Sequence, residues 1–149
     1  MVRTCEHEAR LPAPRERVWQ VLTDFGGYHA WNPFLWNAAG EARMGERVLL
    51  QMQPPGGNPM RFSARIEQAD GPRELRWAAR LLHDALFRAE FRFRLEPARD
   101  GVRLIQSAHF SGRLAGWVPS RLYERQQRGL AAMAEGLHEH LAAIAGASA

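Results

Sequence analysis

Apolar and polar residues alternate with a period of two through most of the middle of the chain. The clearest case is "LFRAEFRFRLE", where odd-numbered positions from Phe87 to Leu95 are apolar and the even-numbered ones are Arg or Glu. Successive side chains of a strand point to opposite faces, so this pattern predicts a sheet with one apolar face. Turn signals such as "PPGGNP" and "ADGPRE" separate the alternating stretches. Strands are predicted over residues 3–11, 34–40, 46–53, 60–69, 73–82, 86–97 and 101–113.

Helical spacing of apolar residues occurs in two regions. Val18, Trp19, Leu22 and Phe25 predict a short helix that begins near Pro14 and stops at the Gly pair of residues 26–27. "YHAW", residues 28–31, predicts one further turn, which the following Pro ends. A long amphipathic helix is predicted over 118–145, where apolar residues recur at Val118, Leu122, Leu130, Met133, Leu137, Leu141 and Ile144.

The order of these elements predicts an α+β fold. A curved seven-stranded antiparallel sheet should wrap its apolar face around the long C-terminal helix, with two short helices between the first and second strands. One helix cannot fill the volume that such a sheet encloses. Small residues on the apolar face leave further space unfilled, and these are Ala64, Ala79, Ala89 and Ala108. The sequence therefore predicts an apolar internal cavity, which is the usual form of a small-molecule site.

Three segments, together with the order of elements, resemble one known superfamily. They are "LPAPRERVWQVLTDFGGYHAWNPF" near the start, "HFSG" on the last strand and "RGLAAMAEGLHEHL" on the long helix. They look like the START-like, or SRPBCC, superfamily, which includes polyketide cyclase-like proteins and lipid-transfer domains. The resemblance covers nearly the whole chain and implies a single domain over residues 1–149 with the helix-grip fold. It also implies a hydrophobic pocket between the sheet and the long helix.

The resemblance also bears on catalysis. Close relatives often carry an inward His on the sixth strand and an inward Glu on the seventh, and the matching positions here are Phe91 and Ala108. Both are apolar, which argues against acid–base catalysis. No catalytic residue, metal ligand or cofactor is therefore expected.

The predicted ligand-binding residues are the inward positions of the strands, one face of the long helix and the aromatic residues at the ends. Trp31 and Trp36 should close one end, and Trp77 should lie on the floor. The predicted set is Trp31, Trp36, Leu50, Met52, Phe62, Trp77, Ala79, Phe87, Phe91, Phe93, Gln106, Ala108, Phe110, Leu122, Tyr123, Gln126, Leu130 and Met133.

Two polar features of this region have open interpretations. Gln106 is a lone amide on an apolar strand face, and it should bond the long helix at Tyr123 or Gln126 or orient a polar group of a ligand. The segment "DFGGYHAWNPFLWN", residues 24–37, places His29, Trp31 and Asn32 at a Pro-broken corner. This corner is either a polar rim around a ligand mouth or a packed corner that fixes the short helices to the sheet.

The isolated Cys and His residues give weak chemical signals. Cys5 is the single cysteine, so it forms no internal disulfide, and we expect an exposed or edge thiol rather than a reactive one. His138 and His140 are two residues apart on a predicted helix, where they diverge by about 200° and cannot share an ion.

Charge is concentrated on the polar face of the predicted sheet. All 20 basic residues are Arg and the net charge is +4. Ion pairs on a solvated face are expected, and weak docking to an anionic membrane surface or an acidic partner is the alternative. Nucleic acid is not expected, because stacking aromatics are missing from this face. The face carries Arg61, Arg65, Arg76, Arg80, Arg88, Arg92 and Arg94 among Glu67, Glu74, Glu90 and Glu96.

The function predicted from the sequence is non-enzymatic binding of a hydrophobic small molecule, as a carrier or sensor. The alternative is a cofactor-independent cyclase, dehydratase or hydrolase acting on an aromatic or polyketide-like substrate. A third interpretation is a structural or dimerising domain whose interior is filled by Trp and Phe. The absence of a long apolar run makes the cytoplasm the default location, and both monomer and homodimer stay open.

Overall fold

The computed structural model describes residues 2–147 of the chain. Seven strands and two α-helices occur, with a 3₁₀ helix after α1 and another after β7. The strands are β1 (Arg3–Leu11), β2 (Asn37–Ala39), β3 (Arg47–Met52), β4 (Met60–Asp70), β5 (Glu74–Leu81), β6 (Phe87–Ala98) and β7 (Gly101–Ser111). The helices are α1 (Arg15–Thr23), the 3₁₀ helices Phe25–Ala30 and Arg113–Trp117, and α2 (Ser120–Ala147).

The strands form one antiparallel sheet in the order β1-β7-β6-β5-β4-β3-β2. The predicted α+β helix-grip architecture is confirmed, including the short helices between β1 and β2. In the sheet register Phe91 of β6 lies opposite Ala108 of β7, which in turn lies opposite Cys5 of β1. The inward positions of these three strands therefore form continuous rows beneath α2.

Some element boundaries differ from the prediction. The second strand is limited to Asn37–Ala39, because Asn32 Oδ1 accepts hydrogen bonds from the backbone N–H groups of Phe34 (3.1 Å) and Leu35 (2.9 Å) and holds that stretch in a turn. The Gly pair of residues 26–27 lies inside the first 3₁₀ helix, and α1 has already ended at Thr23. The 3₁₀ helix Arg113–Trp117 occupies the connection between the predicted last strand and the predicted long helix, where no element was expected.

The aromatic corner packs against α2 from Gly129 onwards. A Cβ atom at Gly129 would overlap the ring of Phe34, and one at Gly136 would overlap the carbonyl oxygen of Trp31. The Trp31 ring lies 5.0 Å from Tyr28 and stacks on His140 at 6.3 Å between centroids. These are the contacts of a packed corner that fixes the short helices to α2. Among residues 2–147, the partner of the His29 ring is the carbonyl of Gly26, inside the same corner.

The outer face of the sheet is covered with ion pairs. Arg88 binds both carboxylate oxygens of Glu67 through its two terminal guanidinium nitrogens, and it also bonds Glu90 at 3.0 Å. Glu74 Oε2 lies 3.5 Å from Nε of Arg92 and 3.8 Å from Nη1 of Arg76. Pairing with carboxylates of the same face is thus the structural role of these three arginines. Among the described residues, no helix has the length and apolar character needed to cross a membrane.

Candidate ligand cavity

A cavity of about 610 Å³ lies between the inner face of the sheet and the first turns of α2. The corner packs against α2 further along the helix, with Phe34 at Gly129 and Trp31 at Gly136. The volume is in the range of small-molecule sites. The lining consists of Met52, Pro54, Gly57, Asn58, Met60, Phe62, Ala79, Arg80, Leu81, Phe87, Ala89, Phe91, Phe110, Val118, Leu122, Tyr123, Arg125 and Gln126.

Phenylalanine rings form the inner wall of the cavity. Phe110 lies 6.4 Å from Phe87 and meets Phe91 edge-on at 6.1 Å. Trp77, which is paired with Phe91 across β5 and β6, stacks on its ring at 4.4 Å between centroids and is itself fully buried. The wall is therefore a set of aromatic rings packed against one another, which gives an apolar ligand a flat aromatic surface.

The outer end of the cavity is bordered by apolar side chains that are open to solvent. Met60 is 49% exposed, Leu81 is 52% exposed and Leu122 is 39% exposed. Exposed apolar residues around a concave apolar surface are typical of binding sites. This border is where a ligand would enter.

Few polar groups reach the lining, and most of them are already bonded. The Tyr123 hydroxyl donates to the Ala115 carbonyl at 2.6 Å, and burial raises the pKa of this phenol. Gln126 Nε2 lies 3.3 Å from Met52 Sδ, and its Oε1 is buried without a partner among the described residues. Arg80 is paired with Asp84 at 2.9 Å.

No Asp, Glu, His or Cys belongs to the lining that the described residues form. Across residues 2–147 there is also no cluster of three or more such side chains that could hold a metal ion. The cavity thus provides a ligand with a concave apolar surface and the guanidinium groups of Arg80 and Arg125.

Some of the residues predicted from the sequence come together in the lining, and others lie elsewhere. Those in the lining are Met52, Phe62, Ala79, Phe87, Phe91, Phe110, Leu122, Tyr123 and Gln126. Those buried in the surrounding core are Leu50, Trp77, Phe93, Gln106, Ala108, Leu130 and Met133. Trp31 lies in the corner, and Trp36 is 43% exposed outside the lining.

Gln106 bonds β1 instead of α2, so the predicted hydrogen bond to Tyr123 or Gln126 is wrong. Its Oε1 lies 3.1 Å from Nδ1 of His7, the residue directly opposite it on β1. Gln106 Nε2 is buried without a partner among the described residues. The amide bonds across the sheet because β1 and β7 bring these two inward side chains into register.

Cys5 has the expected edge position but is buried rather than exposed. It is on the edge strand, yet only 5% exposed, and its Sγ donates to the Tyr123 carbonyl at 3.3 Å. Burial raises the pKa of this thiol above its usual value of 9.0. Cys5 is buried because α2 packs over β1. A 3.0 Å hydrogen bond from the Glu6 backbone N–H to Gln127 Oε1 joins the same two elements.

The sequence reasoning missed several lining residues, and only some left a signal. The β3–β4 connection was interpreted only as a turn, yet Pro54, Gly57 and Asn58 form one side of the cavity. Arg125 is one helical turn from Leu122, and that spacing was the available signal. Ala89 also belongs to the lining, and the alternation along β6 is the signal for its inward orientation.

A second concave region of about 530 Å³ lies across β2, β3 and β4, at the edge of the sheet that β2 forms. Its lining mixes Gln51, Arg61 and Ser63 with the 59% exposed Leu49. The mixture of exposed polar side chains in this groove makes the inner cavity the better candidate site.

An antiparallel sheet that grips one long helix over an apolar cavity defines the helix-grip class of ligand-binding domains. The chain belongs to the family described as polyketide cyclase / dehydrase and lipid transport, whose model matches residues 3–142. This family binds hydrophobic ligands, and its description includes both enzymes and transport proteins.

Solved structures share this fold at low sequence identity. A START superfamily protein from Mycobacterium smegmatis has a TM-score of 0.76 and 17% identity, covering 95% of this chain and 98% of its own. The Zhui aromatase/cyclase from Streptomyces sp. R1128 has a TM-score of 0.74 and 19% identity, with coverages of 95% and 94%. A protein from Thermus thermophilus has a TM-score of 0.75 and 20% identity, with coverages of 95% and 99%. No curated protein sequence matches significantly.

Proposed function

We propose that this protein binds a hydrophobic small molecule in the cavity beneath α2, as a non-enzymatic carrier or sensor. The observation that carries the proposal is the lining itself, where aromatic and aliphatic side chains surround about 610 Å³. Burial of apolar ligand surface stabilises a complex by about 25 cal/mol per Å² before the costs of association. A lipid, an aromatic compound or a polyketide-like molecule would fit this chemistry.

The side chains at the cavity support binding over catalysis. General acid–base catalysis needs a titratable group within hydrogen-bond reach of the substrate. The resemblance implies ionisable groups at two positions that are apolar here, Phe91 and Ala108, which lie opposite each other on β6 and β7. Tyr123 is the one lining phenol, and its hydroxyl is held by a backbone carbonyl.

A cyclase, dehydratase or hydrolase acting on an aromatic substrate is the second candidate. It is favoured by the family description and by the fold shared with the Streptomyces aromatase/cyclase. In that case Tyr123 and Gln126 would supply the hydrogen bonds to the substrate. The third interpretation, an interior filled by Trp and Phe, has less support because the Trp and Phe side chains leave this cavity open.

The proposed function goes together with a domain organisation, a location and an oligomeric state. We infer one domain over residues 1–149, a cytoplasmic location and action as a monomer or homodimer. Weak contact with an anionic membrane surface would serve the exchange of a lipid, and the exposed apolar side chains at the border of the cavity suit such contact. Nucleic acid has no place in this proposal.

Titration with the neutral fluorophore Nile red tests the proposed function. We expect saturable binding in the micromolar range, together with displacement by fatty-acid-sized ligands. Native mass spectrometry followed by organic extraction should identify any molecule that copurifies. A protein that shows no saturable Nile red binding and carries no extractable ligand would refute the proposal.

A further inference from the structure

Arg125 is placed at the cavity by the fold of two separate segments. It follows Leu122 by one turn of α2, so both side chains are on the helix face that lines the cavity. Its stem passes over the β3–β4 connection, where a Cβ atom at Gly57 would lie 3.3 Å from Arg125 Cδ. Gly56 has a φ of +74°, a conformation that glycine adopts without strain, and its own Cβ position lies 3.8 Å from Arg125 Nε.

The guanidinium of Arg125 has no carboxylate partner within residues 2–147. The other lining arginine, Arg80, is neutralised by Asp84 at 2.9 Å. The remaining lining residues are uncharged, so Arg125 gives the border of an apolar cavity one uncompensated positive charge. A guanidinium beside apolar surface binds a carboxylate well, because its two parallel N–H groups match the two carboxylate oxygens.

We propose that the cavity takes an amphiphile with a carboxylate head, whose apolar chain lies against the Phe87, Phe91 and Phe110 wall and whose head pairs with Arg125. This inference rests on the proposed function and adds the chemical class of the ligand. The exposed position of the border keeps the carboxylate in contact with water while the chain is buried. The burial of the ion pair is therefore only partial, and its desolvation cost is modest.

Displacement of bound Nile red by dodecanoic acid and by dodecan-1-ol tests the inference. The two ligands share one chain and differ in the charge of the head. At pH 8 and low ionic strength we expect the acid to bind about tenfold more tightly than the alcohol, which corresponds to about 1.4 kcal/mol. Arg125→Gln should remove this preference, because it should weaken binding of the acid far more than binding of the alcohol.

Arg128→Gln is the matched control, because Arg128 is an exposed arginine of the same helix outside the lining. It should keep the preference for the acid. Arg125→Lys should retain part of the preference, since it keeps the charge and loses the two-pronged geometry. Melting curves of all variants verify that each protein is folded.

The outcomes separate the inference from the function on which it rests. Saturable Nile red binding with equal affinity for acid and alcohol would overturn the proposed carboxylate head group. The proposed binding of a hydrophobic ligand in the cavity would still stand. A variant Arg125→Gln that weakens both ligands equally would show that Arg125 only packs at the border. An unchanged preference in Arg125→Gln, lost instead in Arg80→Gln, would also overturn the assignment. Absence of Nile red binding itself would contradict the proposed function.

Discussion

The ring of Phe34 occupies the space that a side chain at position 129 would need. Phe34 is fully buried, so it has no free volume into which to move. We therefore expect Gly129→Ala to lower the free energy of unfolding by about 1–3 kcal/mol, as overpacked sites do. This would occur although alanine favours a helix interior by about 1 kcal/mol over glycine. Urea denaturation measures the difference.

Gly146→Ala is the control for that substitution. A Cβ atom at Gly146 meets nothing within 4 Å, so the same change should be neutral or slightly stabilising there. A stabilised Gly129→Ala protein would contradict the close contact between the corner and α2.

Ala89→Phe should fill the cavity. Ala89 belongs to the lining and lies opposite Ala79 on one side and Phe110 on the other. The added ring has empty volume to enter, so we expect the Nile red affinity to fall at least about tenfold while the melting temperature changes little. Fluorescence titration and thermal melts measure both effects.

Ala108→Phe provides the comparison for the cavity. Ala108 is fully buried and lies outside the lining, so a ring there should cost about 1–3 kcal/mol of stability. Destabilisation of Ala89→Phe by as much, with unchanged Nile red binding, would argue that the cavity is not the binding site.

The pair of Arg88 and Glu67 should make stability depend on pH. The hydrogen bonds from Arg88 lower the pKa of Glu67 from its usual value of 4.5. A lowered folded-state pKa contributes stability above the unfolded value, and this contribution is lost as the pH falls through the folded value. The stability difference between native protein and Arg88→Gln should therefore be largest above about pH 5 and shrink below pH 4.5.

The expected size of that difference at neutral pH is about 1–2 kcal/mol, because the pair is bidentate and its side chains are only 19% and 25% exposed. Arg94→Gln is the control, since the Arg94–Glu96 pair is 40% and 42% exposed. It should change stability by less than about 1 kcal/mol at any pH. A difference that is constant between pH 7 and pH 3 would disagree with this role of Arg88.

Cys5 should resist alkylation in the folded protein. The thiolate is the reactive form, and burial both raises the thiol pKa and blocks access. Mass spectrometry after iodoacetamide treatment at pH 8 should find the native protein largely unmodified and the guanidinium-unfolded protein fully modified. Equal rates in the two states would mean that α2 does not cover β1 as described.

Local patterns were sufficient to predict the elements and their faces. Alternation with a period of two is a property of each strand alone, so the inward orientation of Phe91 and Phe110 could be predicted without knowledge of the fold. The helical face containing Leu122 and Tyr123 followed in the same way from spacing along one helix. Together with the order of elements, these patterns determined the sheet, the long helix and the general position of a cavity.

Tertiary packing decided which inward residues meet the cavity. Phe91 and Ala108 share a face and lie opposite each other, yet only Phe91 reaches the lining. The Phe34 ring at Gly129 and the position of Arg125 beside Gly57 join residues far apart in the chain. A strand or helix pattern fixes the direction of a side chain relative to its own backbone. Its depth in the molecule depends on what the rest of the chain packs against it, and that information is absent from any local pattern.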